Sequence, residues 1–265
     1  LGHSPFPERM YPSSRLASRR ALELDDTLAE AHLSVVMLKL YYEWDFRAAE
    51  DAFVRAIELN PNLAAAYYHY GWLNEIYRRS DLAIPLAEKA AELDPLSISM
   101  QQFLGSQYWA AGEFDKVQQA IEVTLQLDPG NSFVRLLEAR ILAGQGRFEE
   151  AIEVSAPVSS DPQLGYEYGV MLARAGRVEE AQAILDKLDK TPRNVTPILR
   201  LTAEIGDADL FFEWLARARE MHLPFYPWFI TWFPTHEAIL QDPRLLEFAT
   251  ELGLEEVVKE NPPRY

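Results

Sequence analysis

His236 and Glu237 are the closest approach to a catalytic metal motif in this sequence. A zinc-binding helix needs a second histidine four residues after the first, and Leu240 stands there. The other histidines, His3, His32, His69 and His222, are scattered, and cysteine is absent. Neither an imidazole cluster nor a thiolate metal site is therefore expected. Gly144-Gln145-Gly146 offers two glycines of a phosphate-cradling turn. Arg147-Phe148-Glu149-Glu150 follows them, so a turn between helices is the simpler reading. Asp207 and Asp209 could open a calcium loop, but its further oxygen ligands are missing. Two acids at a helix start, favoured by the helix dipole, explain them better. No serine or cysteine nucleophile signature appears. The expectation is a non-enzymatic protein with no catalytic residue, no metal and no cofactor.

The chemistry that remains is contact chemistry, carried by aromatic residues. Residues 224–234 alone hold six: Phe225, Tyr226, Trp228, Phe229, Trp232 and Phe233. Two readings are open for this run: a cap over the end of the fold, or an aromatic patch for a partner or membrane interface. The acidic neighbours Glu251, Glu255, Glu256 and Glu260 weaken the membrane version. The whole chain has 41 acids against 25 bases, a formal charge of −16. Phosphate recognition needs lysine and arginine to displace counterions, so no nucleic-acid contact is expected from this segment. Anionic membrane surfaces are disfavoured on the same ground. No run approaches the roughly 18 apolar residues of a membrane span, and a cytoplasmic location is expected.

The elements that must position these aromatics are set by a period. Leu59-Asn60-Pro61, Leu93-Asp94-Pro95 and Leu127-Asp128-Pro129 recur every 34 residues, and Leu24-Asp25-Asp26 occupies the same slot earlier. A fixed period of this length signals stacked supersecondary units. Gly112, Gly146, Gly176 and Gly206 mark a second beat, each placed to end one helix in the left-handed conformation and turn into the next. Gly71, Gly105, Ala139 and Gly169 are small where two helices must approach closely. Ala49, Ala83, Val117, Ala151 and Ala181 fall inside each second helix, facing the first. Apolar spacing between the marks is helical, as in Phe114, Val117 and Ile121. The prediction is helix, tight turn, helix, Asp-Pro turn, repeated, in an all-α chain.

These marks resemble the tetratricopeptide repeat. Residues 98–129 carry its pattern at Leu104-Gly105, Tyr108, Gly112, Phe114 and Pro129, departing from it at Gln101, Val117 and Thr124. Residues 64–95 carry it at Tyr67, Tyr70-Gly71, Ala83, Ala90 and Pro95. The resemblance implies a right-handed α–α superhelix. We expect an array over 1–220, with a half repeat at 8–25 and then about six units, the last ones shortened. An aromatic capping segment over 221–265 would follow. The unit at 29–61 carries one extra residue near Tyr42-Glu43-Trp44-Asp45. Ala156-Pro157 should cut a second helix short. Asp242-Pro243 reads as the capped start of a closing helix through Phe248, Leu252 and Leu254.

The resemblance also implies a function. In this family the first helices line a concave groove that binds a protein or peptide segment. The matching positions here include Leu33, Met37 and Tyr41, then Tyr68, His69, Trp72 and Glu75. Gln102, Phe103 and Trp109 follow, then Phe133, Leu136 and Arg140, then Tyr166, Glu167 and Arg174. The candidate partner-binding set is Tyr68, His69, Trp72, Phe103, Trp109, Phe133, Arg140 and Tyr166. The competing reading is that some of these pack between helices or bury the protein's own tail. Relatives that clamp acidic chain ends use lysine, arginine and asparagine where this chain has Leu33, Met37, His69, Ser99 and Phe103. Capture of a terminal carboxylate is therefore not expected. The stretches 21–32, 41–46 and 242–246 are similar to C-terminal repeat regions of bacterial multidomain regulators that carry winged-helix, kinase or cyclase domains. On that reading the groove recruits a partner within a larger regulatory protein. The alternative is small-ligand sensing coupled to an upstream effector, and the uncovered half repeat offers a self-association surface.

Overall fold

The structure is a computed structural model that describes residues 10–161 and 164–260. The first residues of the expected half repeat, with Leu1 to Arg9, lie outside it, as do Pro162, Gln163 and the last five residues of the expected cap. Seventeen α-helices and no strand occur among the described residues. The protein is an all-α solenoid.

Helix α1 (Met10–Leu24) has no pair mate of its own and packs on the helix that follows it, and the next twelve helices come in pairs. The pairs are α2 (Ala29–Leu38) with α3 (Phe46–Leu59), α4 (Ala64–Ile76) with α5 (Ser80–Leu93), and α6 (Ile98–Ala110) with α7 (Phe114–Leu127). They continue as α8 (Ser132–Gly144) with α9 (Phe148–Ser155), α10 (Gly165–Arg174) with α11 (Val178–Leu185), and α12 (Val195–Ile205) with α13 (Ala208–Glu220). Each helix packs on its pair mate, and the pairs stack on one another along the chain. Four short helices end it: α14 (Tyr226–Thr231), α15 (Glu237–Leu240), α16 (Pro243–Glu251) and α17 (Glu255–Glu260).

Local chemistry explains the beat. At three of the turns between units an Asn or Asp side chain folds back on the backbone. Asn60 Oδ1 accepts from the Asn62 amide at 3.0 Å, Asp128 Oδ1 from Gly130 at 3.2 Å, and Asp25 Oδ1 from Thr27 at 2.9 Å. These side chains mimic a backbone turn and stop the helix. Gly112, Gly146, Gly176 and Gly206 have φ of 74°, 74°, 79° and 87°, the left-handed region where a side chain would be strained. At Gly71 a Cβ would lie 2.7 Å from Phe103 Cε1, so the bare backbone is what lets α6 seat against α4. Ala49, Ala83, Val117, Ala151 and Ala181 are all at 0% exposure, at the contact between the two helices of a pair.

The irregularities have structural answers. The extra residue near Trp44 is absorbed by a π-helical turn over Lys39–Glu43, which widens the helix by one residue instead of breaking it. Trp44 then takes a left-handed φ of 51°. α9 stops at Ser155 and passes into a 3₁₀ turn over Ala156–Val158 at the expected proline. Asp242 caps α16 by accepting from the Arg244 amide at 2.9 Å. The closing helix is shorter than expected: α16 ends at Glu251, and Leu254 lies beyond it, fully buried before α17. His236 caps α15 through Nδ1, which accepts from Ala238, and Asp207 caps α13 by accepting from Leu210.

The aromatic tail does more than cover the last pair. Tyr226, Trp228, Phe229 and Ile230 are buried, and α14 packs against both α13 and α4. Trp232 Nε1 donates to the Glu75 carbonyl at 2.6 Å, across 157 residues of sequence. His222 bonds the Tyr42 carbonyl, and its ring stacks on Trp44 at 4.1 Å. A single buried cluster therefore runs from Val36 and Phe53 through Trp228 to Leu254. The middle of the array keeps a separate cluster of Tyr108, Val117, Ile121, Val134 and Leu137.

Candidate functional site

The tail converts the concave groove into a partly enclosed chamber of about 540 Å³. The first helix of every pair from α4 to α12 lines it, and the segment from Phe225 to Phe233 forms the facing wall. Of the sequence candidates, Tyr68 and Trp72 on α4, Phe103 and Trp109 on α6, Phe133 and Arg140 on α8, and Tyr166 on α10 all line this space. His69 does not. Its Nδ1 lies 3.0 Å from the Tyr41 hydroxyl, and burial holds its pKa down at about 4, so the ring is neutral and works as a packing partner. Leu136 is also turned away from the groove, into the core at 2% exposure.

The aromatic wall is continuous. Trp72 stacks on Phe103 at 4.8 Å and meets Trp228 edge-on at 5.7 Å. Tyr41 stacks on Trp228 at 6.0 Å, and Phe225 lies 5.6 Å from Trp228. Such pairs contribute roughly 0.5–1.5 kcal/mol each beyond area burial. Phe225 remains 50% exposed at the rim.

Charged groups make the other side. Arg140 donates to Glu167 at 2.8 Å, and Arg174 donates to Glu204 at 2.7 Å, with Arg200 at 3.2 Å from the same carboxylate. Burial alone would raise Glu167 and Glu204, but the neighbouring guanidinium groups overcome it and hold both below the usual carboxylate range. Breaking such a buried pair leaves an uncompensated charge, which is costly. Glu75 differs. Burial pushes its pKa up to about 7, against N–H groups of Gln107 and Trp228 and the more distant charge of Arg140. Among the described residues it has no ion-pair partner within bridging distance, and its Oε2 lacks a hydrogen bond.

Arg200, Thr196 and the wall from Phe225 to Phe233 were not among the sequence candidates. The signal for the wall was visible as a run of aromatics matching the groove in composition. The signal for Arg200 was absent, because the family pattern thins after residue 190.

The geometry defines a class: a helical-repeat protein whose concave face is closed by its own tail. Residues 40–98 match one tetratricopeptide repeat family model, and residues 133–155 and 162–187 match another. Those segments of the chain are similar to tetratricopeptide repeats. A solved tetratricopeptide repeat protein from Parabacteroides merdae is 12% identical, covers 94% of this chain and 92% of its own, and superposes with a TM-score of 0.65. A chain of the APC/C hetero-tetramer Cut9–Hcn1 is 16% identical, covering 93% of this chain and 46% of that one, with a TM-score of 0.61. These likenesses are of fold. The small glutamine-rich tetratricopeptide repeat-containing protein 2 of Mycosarcoma maydis is 28% identical over 112 residues. That match spans 42% of this chain and about a third of the relative, 32% of its length.

Proposed function

We propose that this chain is a non-catalytic scaffold that holds a protein or peptide segment against its concave face. Proteins of this repeat class mediate protein–protein interactions. The observation that carries the reading is the chamber wall, where half-buried Tyr68, Trp72, Trp109 and Phe133 remain beside Arg140 after the tail has packed. Tryptophan, tyrosine and arginine dominate binding hot spots because they combine large rigid area with a polar handle. The segment would enter along α6 and α8, past Ser99, Gln102 and Phe133, since α14 already occupies the α4 end. The similarity of residues 21–32, 41–46 and 242–246 to bacterial regulators supports a place as the partner-recruiting part of a larger cytoplasmic regulator. The 70% and 71% exposure of Leu16 and Leu24 on α1 supports self-association there as a second contact.

A photo-crosslinking residue placed at Phe133 tests the groove, with the same residue at Leu82 as control. Leu82 lies on α5, which does not line the chamber, and is 45% exposed. The expected result is a discrete partner adduct from Phe133 and none from Leu82. Equal labelling from both positions, or from neither, would count against the concave face.

A further inference from the structure

Four charged side chains line the chamber: Glu75, Arg140, Glu167 and Arg200. Three of them are ion-paired, Arg140 with Glu167 and Arg200 with Glu204. Glu75 is left without a counter-ion among the described residues. Its Oε2 is shut off from bulk water without a well-formed hydrogen bond, and the Gln107 Nε2 and Trp228 Nε1 groups act on the carboxylate but make no hydrogen bond of normal geometry. Three imperfectly satisfied polar groups meeting at one point, two of them on the cavity wall and Gln107 buried behind it, are unusual, since buried polar atoms nearly always find partners. Beside them Trp72 and Trp228 meet at an interplanar angle of 78° and form an aromatic corner. Indole faces attract cations through the ring quadrupole, more strongly where water is excluded. The volume of about 540 Å³ lies within the range of small-molecule sites. The formal charge of −16 adds a long-range field that draws cations in.

We propose that the chamber binds an organic cation, an ammonium or guanidinium group carried on an apolar or aromatic body, with Glu75 as its counter-ion and the Trp72–Trp228 corner around the charge. The occupant has two sources with the same chemistry: a free small amine, or a lysine or arginine side chain presented by a bound segment. The chamber chemistry stands independently of whether the concave face also recruits a protein. Tyr41, Tyr68, Gln107, Arg140 and Trp228 are the titratable, charged or polar groups that act on Glu75. A cation beside Glu75 would favour its ionised form, so binding near neutral pH should release protons.

The test is calorimetry on the full chain with benzyltrimethylammonium, benzyl alcohol and benzoate, and with N-acetyl-arginine amide as the side-chain arm. The expected result is binding of the cation, no binding of the neutral or anionic analogue, and a loss of about tenfold or more in Glu75→Gln. Proton release, read from buffers of different ionisation enthalpy, should vanish in that variant. Preference for benzyltrimethylammonium over the arginine amide assigns a free amine, and the reverse assigns a peptide side chain. Equal binding of benzyl alcohol to the unmodified protein, or no binding of either cation, overturns the proposal without use of the variant. Neither result touches the crosslinking outcome at Phe133, so the two readings fail separately.

Discussion

The paired helices from α4 to α8 and the closing segment around α14 bury aromatic surface in opposite ways. In the pairs, contact is with near neighbours in sequence, and small residues set the distance. Gly71, Ala83 and Val117 let one helix seat on the next, and the middle of the array keeps its own cluster at Tyr108, Val117 and Ile121. In the closing segment, contact is with residues more than 150 positions away, and large side chains do the work. Trp228 reaches Tyr41 and Trp72, Trp232 bonds the Glu75 carbonyl, and Tyr226 packs on Trp44. A solenoid gains stability pair by pair, whereas a closure forms only once both ends of the array exist. The α4 end of the groove and the far repeats therefore belong to one core, and the middle pairs sit between them as a bridge.

The largest expected effect breaks the closure alone. Trp228→Ala should cost about 3–5 kcal/mol and separate the two regions. Tryptophan fluorescence would then change at lower guanidinium concentration than far-UV circular dichroism, while in the unmodified chain the two coincide. Coincident transitions in the variant would mean the tail and the array are one cooperative unit. Gly71→Val attacks the periodic contact instead. Its new side chain meets Phe103, 2.7 Å from the Cβ position, and should destabilise by about 1–3 kcal/mol. Here both probes should move together, because α4 carries both the stacking and the closure.

A second pair of variants sharpens the comparison through pH. Glu75 has a folded pKa of about 7 against an ordinary 4.5, so the folded state binds more protons and stability falls as pH rises through that window. His69 has a folded pKa of about 4 against 6.5, so stability falls as pH drops between those values. Glu75→Gln should flatten the loss on the neutral side, and His69→Gln the loss on the acid side, in melting temperatures measured from pH 4 to 8. Unchanged slopes would mean that neither group is as buried as the packing indicates. The smallest effect belongs to the tail's own helix cap. Asp242→Ala removes the bond to the Arg244 amide and should cost about 1 kcal/mol. The loss should appear in hydrogen exchange of α16 and leave α4 to α8 unaffected.

Much of the paired region was legible in advance because its causes are local. Asn60 and Asp128 before prolines, the left-handed glycines and the 0%-exposed alanines each act within a few residues of their own position. The extra residue near Trp44 was legible as an insertion, but its resolution into a π-helical turn was not. The turn places Trp44 where the His222 ring stacks on it and the Tyr226 ring meets it at a tilt, both from the other end of the chain. Seven of the eight groove candidates do line one space, since first-helix register follows from the period. His69 was misplaced because its Tyr41 partner sits on the preceding repeat, and a hydrogen bond between repeats does not show in spacing.

The sequence by itself determined the all-α repeat architecture, the places where helices stop, and the aromatic character of the concave face. These depend on backbone conformation and periodic burial, which short stretches of chain encode. Only the tertiary structure decided that the face is a chamber, that α14 forms its outer wall, and that Glu75 is the lining charge without a counter-ion. Those outcomes depend on where a superhelix brings residues more than 150 positions apart. That meeting is set by the summed packing angles of all the helices between them, not by any one motif.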